Sequence, residues 1–571
     1  MPGSAVQDAS VNCNQLIDTK GTTMTKNKKS ASGLSAPFMA AASGLINGVL
    51  SISLLLLFIV FPLICHNSYL DILETKFNFY QKCIVSMLSV MFLLAVILAV
   101  IDLMEFKGSH TRHLFSKIVR ADKKTPFFAA DAAVFIFWVS SALSTLLSPY
   151  TKAAFYGNKG RFSGLFLLSL YVISYYLISH FWKPKRWCAE LFLASGAIVC
   201  IIGITDYFQL DILGFHKLID VSQIAIFTST IGNINTYTAY VGLVMGFSAA
   251  MFALEDSPLK TIWYYLCLCV SFAAIIMGCS DNAYLSMAAL FGGLPFLLFK
   301  TRKGIFRYLT ITATLFTIIQ VIDVANHLFP ERVLGLESLF LVIVNFRDLP
   351  FVVLFFWGIA AGYGLMSKYF EAAAPVLSGG TKTVRVWAVL MAAGIGVLCF
   401  MFFDANVANH ADRYGPLQSY LVFSNEWGTN RGYIWRRSLQ LYREFPLLQK
   451  LFGYGPDTFG LLARGTILEE MVAATGQIFD SAHNAFIQYL LTIGFAGSAG
   501  YLAFLIAAMY CMGKNQSGES FIFGALFASA CYALQSTVNI DLPIVTPVLW
   551  LMLSIGMAGC RFSAPKLICI T

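Results

Sequence analysis

Residues 479–505, FDSAHNAFIQYLLTIGFAGSAGYLAFL, begin polar and turn apolar within a few positions. The apolar part is long enough to cross a bilayer as a helix, for which about 20 residues suffice. Similar runs recur along the chain. Of its 571 residues, 58% are hydrophobic and 12% charged, against about 25% charged in soluble domains. This is the composition of an all-α, polytopic membrane helix bundle. Candidate spans are 38–65, 83–104, 126–147, 162–182, 187–205, 233–254, 260–278, 282–299, 306–323, 350–368, 386–403, 484–511, 520–540 and 544–560. The expected division is a disordered cytoplasmic tail (1–37), a membrane bundle (38–403), a long extracytoplasmic loop (404–483) and C-terminal membrane helices (484–571).

Positive charge sets the expected orientation, because cytoplasmic loops are enriched in Lys and Arg. The loop EFKGSHTRHLFSKIVRADKKT carries Lys107, Arg112, Lys117, Arg120, Lys123 and Lys124, and HFWKPKRW and KTRKGIFR are also basic. With these inside, 148–161, 206–232, 324–349 and 404–483 lie outside. The net charge of +9 then follows from the loops and calls for no nucleic acid. The thirteen cysteines sit mostly in apolar runs and form no CxxC pair, so neither a disulfide framework nor a metal site is expected from them. One outer loop, SPYTKAAFYGNKGR, breaks the charge rule with Lys152, Lys159 and Arg161 and no acid. Either neighbouring signals override it, or it grips an anion.

The segment 404–483 is the only stretch large enough to fold outside a membrane. Its centre reads GTNRGYIWRRSLQLYREFPLLQKLFGYGPDTF. From Arg431 to about Phe445 the pattern suits an amphipathic helix, with Trp435, Leu439 and Tyr442 on one face and Arg436, Gln440 and Arg443 on another. Such a helix is expected to lay its aromatic face in the lipid boundary. Phe445-Pro446 ends it, and Gly453, Gly455 and Pro456 read as a turn, with chain punctuation the favoured role. A cation at Arg431, in the first turn, opposes the helix dipole, a conflict that a bound anion resolves. At the seam near 480, Asp480 or Ser481 is the natural N-cap of a helix starting near Ala482. His483 then falls in the first turn, where the dipole lowers its pKa and keeps it a neutral proton acceptor. The plain alternative is that His483 and Asn484 only cap the helix.

Basic residues and one candidate base thus gather at one membrane boundary. No HExxH, acidic pair or Walker loop is present. A large, anionic, membrane-tethered substrate fits, such as a lipid-diphosphate-linked sugar. Fixed arginines can stabilise its departing phosphate without a metal, and the attacking hydroxyl needs a base.

Four stretches carry a resemblance. SPYTKAAFYGNKGRFSGL, STIGNINTYTAYVGL, the Arg431 segment above and the His483-Asn484 seam resemble, in order and spacing, motifs of the O-antigen ligase and polymerase superfamily. The resemblance runs from about residue 126 onward. It implies a GT-C-type membrane fold and transfer of a glycan from undecaprenyl diphosphate to a hydroxyl of a lipid, polysaccharide or protein acceptor. It further implies no metal or other cofactor, and an active face outside a bacterial plasma membrane. Carried over by motif, His483 becomes the base, Arg431 and Arg161 diphosphate contacts, and Arg436, Asn484, Asn233 and Asn235 supporting polar groups. The chain departs from the pattern in two ways. It shows fourteen runs where the family core usually has twelve spans. In CSDNAYL, Asp281 and Asn282 stand where family members often carry Ser-Arg, leaving Arg332, Arg347 and Arg413 as candidate replacements.

Within the enzyme class, ligase leads, with repeat-unit polymerase and protein O-oligosaccharyltransferase as alternatives. A transporter of lipid-linked sugars is the alternative of another class. Transporters tend to show internal repeats and ionisable groups near the midplane. Here no clear repeat is visible, and the charges cluster at the rim. A non-enzymatic envelope scaffold is the third reading.

Overall fold

A computed structural model describes residues 25–109, 127–336, 338–369, 379–515 and 518–563. The helices used below are α1 (Thr25–Leu55), α2 (Ile72–Phe106), α3 (Phe127–Leu147), α4 (Thr151–Tyr156), α5 (Leu165–Phe181), α6 (Trp187–Tyr207), α7 (Ile234–Leu254), α8 (Pro258–Met277), α9 (Ala283–Leu298), α10 (Arg302–Leu328), α11 (Leu349–Tyr369) and α12 (Thr381–Asn406). They continue as α13 (Trp427–Glu444), α14 (Leu447–Phe452), α15 (Phe459–Thr466), α16 (Leu468–Thr475), α17 (Ala485–Thr492), α18 (Gly494–Gly513), α19 (Ser520–Gln535) and α20 (Thr546–Ser563). One short antiparallel ribbon, β1 (Phe227–Thr228) with β2 (Gly232–Asn233), pairs Phe227 with Asn233.

Among the described residues, ten helices are long and apolar enough to cross a membrane, and three shorter apolar ones accompany them. Each of the fourteen expected runs coincides with helix, so the chain is an all-α, multi-pass membrane protein. Of the expected tail, residues 1–24 lie outside the described residues and 25–37 open α1. Arg112, Lys117, Arg120, Lys123 and Lys124 also lie outside them.

The chain divides into two units. In the smaller (1–46 and 93–120), the rings of Phe38 and Phe106 lie 5.3 Å apart. The larger (47–92 and 121–571) holds everything described below. Its centre is α7, 94% buried over its most apolar stretch, with α8, α9 and α19 packed around it. Outside this core, α18 lies along α3, and α20 along α5. Two charges inside the bundle, one of them fully buried, find partners there. Lys76 donates to the carbonyls of Phe61 (2.9 Å) and Pro62 (3.0 Å), where the first span ends and its carbonyls lack helical partners. Asp131, half-buried, is the second. It accepts from Arg561 (2.6 Å) and Tyr175 (3.1 Å), with His180 at 3.3 Å, and so ties α3, α5 and α20.

Two expectations need correction. The run 484–511 is not one helix: it breaks between α17 and α18, at Gly494 (φ +68°). The break receives the end of α14, where Gly453 (φ +72°) sits so close that a Cβ would overlap the Thr492 backbone. Tyr454 and Gly455 donate backbone N–H groups to Leu491 (3.2 Å) and Thr492 (2.8 Å). The glycine turn is thus a docking point that only glycine permits, rather than punctuation. The second correction concerns α13. It buries Ile434, Ser438 and Leu441, which lie about two turns along one stripe. That stripe packs with Phe445, Phe459, Met471 and Phe479 in a small apolar core made mostly by the 404–483 segment and completed by Leu491 of α17. Trp435 and Tyr442 flank that core, and Leu439 is exposed. The segment therefore folds around an interior shared with α17, and these side chains go there and not to a lipid boundary.

Candidate functional site

The site grows from three chain breaks at one end of the bundle. In the first, α13 opens with Gly428, Thr429 and Asn430 all in the left-handed region (φ +60°, +59°, +67°), so regular helix starts at Arg431. Left-handed backbone costs non-glycine residues roughly 1–2 kcal/mol each, so strain is concentrated here. In the second, His483 also has positive φ (+48°) and precedes α17 instead of sitting in its first turn. Asn484 is the N-cap: its Oδ1 accepts from Phe486 and Ile487, both at 3.0 Å. That corrects the expectation for Asp480 or Ser481. In the third, α8 ends and α9 begins around Cys279–Asn282.

These breaks enclose a polar cavity of about 440 Å³, whose wall includes Asn235, Asp281, Asn282, Thr429, Arg431, Asp480 and His483. Arg431 spends one donor on the carbonyl of Gly428 (2.9 Å). Its Nε is buried without a hydrogen-bond partner among the described residues. Burial pulls its pKa below the usual arginine value, and the Asp281 carboxylate opposes that pull. The His483 ring meets Phe479 edge-on at 5.6 Å. Its pKa is lowered to about 4, chiefly by burial and then by Arg431 and Arg161, with Asp480 opposing. The direction is the expected one, and burial beside two guanidinium groups is its main cause. Asn235 is held from several sides. Its Oδ1 accepts from Ser280 (2.7 Å) and Asn282 (3.1 Å), and its carbonyl from Asn539 (2.9 Å).

A second, mostly apolar groove of about 1180 Å³ adjoins, with Leu285, Leu398, Met401 and Leu417 in its wall. The two spaces share Asp281, Asn282, Thr429 and Arg431.

The remaining motif residues stand elsewhere. Arg161 forks onto Asp480, with Nε to Oδ2 at 2.8 Å and Nη2 to Oδ1. Burial raises the pKa of Asp480, but the Arg161 pair outweighs it and holds the carboxyl below its usual range. Arg161 thus reaches the polar cavity only through Asp480. Its loop is pinned by Asp457, which accepts from the backbone of Asn158 (2.7 Å) and Ser163 (3.2 Å). Burial pushes the Asp457 pKa to about 6. Asn233 caps α7 by accepting from the Asn235 N–H (2.9 Å). Arg436 is exposed, stacks on Phe423 (5.6 Å), and lines neither space. Arg332, Arg347 and Arg413 line neither space either, and Arg413 pairs with Asp404 (3.6 Å). In the place expected of another arginine the cavity presents Asp281, which accepts from Tyr420 (3.3 Å). Asp281, Asn282 and Thr429 were not among the expected site residues. CSDNAYL stood out only as a departure from a pattern, and Thr429 carried no signal.

A family model described as O-antigen ligase matches residues 334–502, which supports the resemblance to the O-antigen ligase superfamily and indicates an O-antigen ligase-like membrane glycosyltransferase. The matched stretch contains Arg431 and His483 and excludes Arg161, Asn233 and Asn235. No curated protein matches the chain.

Proposed function

We propose that the chain transfers a glycan from an undecaprenyl-diphosphate donor to a hydroxyl of a cell-surface acceptor, at the outer face of a bacterial plasma membrane and without a catalytic metal. The observation that carries this reading is the junction at Arg431. A polar cavity holding a base and a guanidinium with unspent donors meets an apolar groove there. A diphosphate with a sugar on one side and a polyprenyl chain on the other has that polarity.

In this reaction the acceptor oxygen bonds to the anomeric carbon while the bond from that carbon to the diphosphate breaks. The electron pair leaves with the phosphate oxygen, which Arg431 stabilises, and the hydroxyl proton passes to His483. Arg161 acts by holding Asp480 against the same cavity. The bound diphosphate also offsets the positive field of Arg431, so His483 becomes a stronger base once donor is present.

The test is transfer by purified protein in liposomes, with a radiolabelled undecaprenyl-diphosphate glycan and an envelope extract as acceptor source. Label reaching a new product with wild type and not with His483→Ala supports the reading. A ladder of products would indicate a polymerase. Lipid-linked glycan crossing the membrane without a transfer product would make the chain a transporter.

A further inference from the structure

Far along the chain from Arg431 and His483, the segment joining α6 to α7 gathers Asp206, Asp211 and His216, whose ligand atoms all lie within 4.8 Å of one another. Their arrangement is electrostatically unbalanced in three respects. Asp206 is buried in the last turn of α6, where the negative end of the helix dipole disfavours a carboxylate. Asp211 brings a second carboxylate to the same point. His216 completes the conflict. Its Nε2 lies 2.9 Å from the Phe227 carbonyl, a contact that requires Nε2 to carry the proton. In the neutral ring the lone pair is then on Nδ1, 3.3 Å from Asp211 Oδ1. Lone pair thus faces carboxylate in a side chain only 9% exposed.

We propose that Asp206, Asp211 and His216 bind a divalent transition-metal cation, with zinc the best match. A cation at their centre resolves all three conflicts together. The surroundings are those of a built ligand set. A metal-bound histidine typically donates its other ring N–H to a backbone carbonyl, which fixes the tautomer, as His216 does to Phe227. Asp206 Oδ2 is held by the Ser229 N–H (2.7 Å), and Asp211 Oδ1 by that of Phe215 (2.8 Å). Imidazole with carboxylates suits zinc. Neighbouring ligands of a tetrahedral zinc lie about 3.4 Å apart, from bonds near 2.0–2.1 Å. The His216–Asp211 pair, at 3.3 Å, already meets that spacing, and Asp206 lies within 4.8 Å of both.

The role implied is a staple. Phe227 lies in β1 and Ser229 in the turn that follows it, and β2 ends at Asn233, the cap of α7. Metal at this point ties the end of α6 to the strand that feeds α7. It lies outside the transfer chemistry and stands whether or not the transfer reaction is as proposed.

The test uses the full chain in detergent, stripped with EDTA and titrated with zinc. Bound metal is counted by mass spectrometry and melting temperature is followed. Wild type is expected to bind one tight zinc equivalent and to melt higher when loaded. His216→Ala and Asp211→Asn are each expected to lose that equivalent and the shift in melting temperature, while His66→Ala, at an exposed pair with Asp71, keeps both. Cobalt in place of zinc should give a visible absorption band in wild type and His66→Ala and in neither ligand variant. Wild type binding no tight zinc would overturn the proposal whatever the variants do, leaving a protonated imidazole as the counter-charge. Equal zinc in wild type and both variants would overturn it as well.

Discussion

Arg431 and Arg161 are both arginines beside the same histidine, and both lower its pKa. Their surroundings differ. Arg161 has two of its guanidinium nitrogens committed to Asp480 in a fork that matches carboxylate geometry. Arg431 has one bond to a backbone carbonyl, a buried Nε without a partner among the described residues, and an open cavity in front of it. Leaving a buried charged donor unpaired costs several kcal/mol unless a ligand supplies the partner. The first arginine is finished by the protein, whereas the second keeps donors open beside the cavity. Motif alone ranks the two together, and pairing separates them.

The sharpest break of that comparison is at the shared histidine. His483→Ala should lower transfer by roughly 10²–10⁴-fold, the range for loss of a general base, in protein that still inserts. Retention of wild-type rate would remove the base from the mechanism. Arg431→Ala should cost about 10²–10³-fold, as for loss of a donor to developing charge. Arg431→Lys should recover little of it, because an ammonium cannot fork onto phosphate; full recovery would show that a point charge suffices. The pH profile follows with a smaller effect. A base must be unprotonated, so kcat/KM should stay level through neutral pH and fall only near pH 4, where free His483 titrates. The limb in kcat should lie higher, toward the ordinary histidine value of about 6.5, because bound diphosphate offsets Arg431. Coincident limbs would mean that the donor does not sit beside Arg431.

Arg161 should behave otherwise. A double-mutant cycle of Arg161→Ala and Asp480→Ala should give a coupling of about 0.5–1 kcal/mol in stability, since Asp480 is half exposed and the pair is partly screened. The double variant should recover activity relative to Arg161→Ala, because it no longer leaves Asp480 unpaired at the cavity wall. No recovery would make Arg161 a direct phosphate contact. The smallest effect is expected of Arg436→Ala, with activity within about twofold of wild type because Arg436 lines neither space, and with only the stacking on Phe423, about 0.5–1 kcal/mol of stability, lost. A large loss would place substrate outside the cavity described.

Fold class was legible early because burial in lipid demands long apolar helices, and length and hydropathy report that directly. All fourteen runs are helical for this reason. Helix interruptions were less legible. The break at Gly494 lies inside a largely apolar run, and the turn docked against it, at Gly453, is 41 residues away. The capping role fell to Asn484 because the chain turns left-handed at His483, and several residues near the seam can cap equally well.

The sequence by itself determined that the chain is a multi-pass helical membrane protein with one large polar excursion, and it singled out Arg431 and His483 within that excursion. Local pattern suffices for this, because hydrophobic length and helix periodicity are properties of neighbours in the chain. Only the tertiary structure decided which polar groups are spent on the protein and which remain for a ligand. It paired Arg161 with Asp480, turned Asn233 and Asn484 into caps, turned Arg436 away, and brought Asp281, Asn282 and Thr429 to the cavity wall. A side chain's free donors are whatever its partners leave over, and the partner that separates Arg161 from Arg431, Asp480, stands 319 residues from Arg161 in the chain.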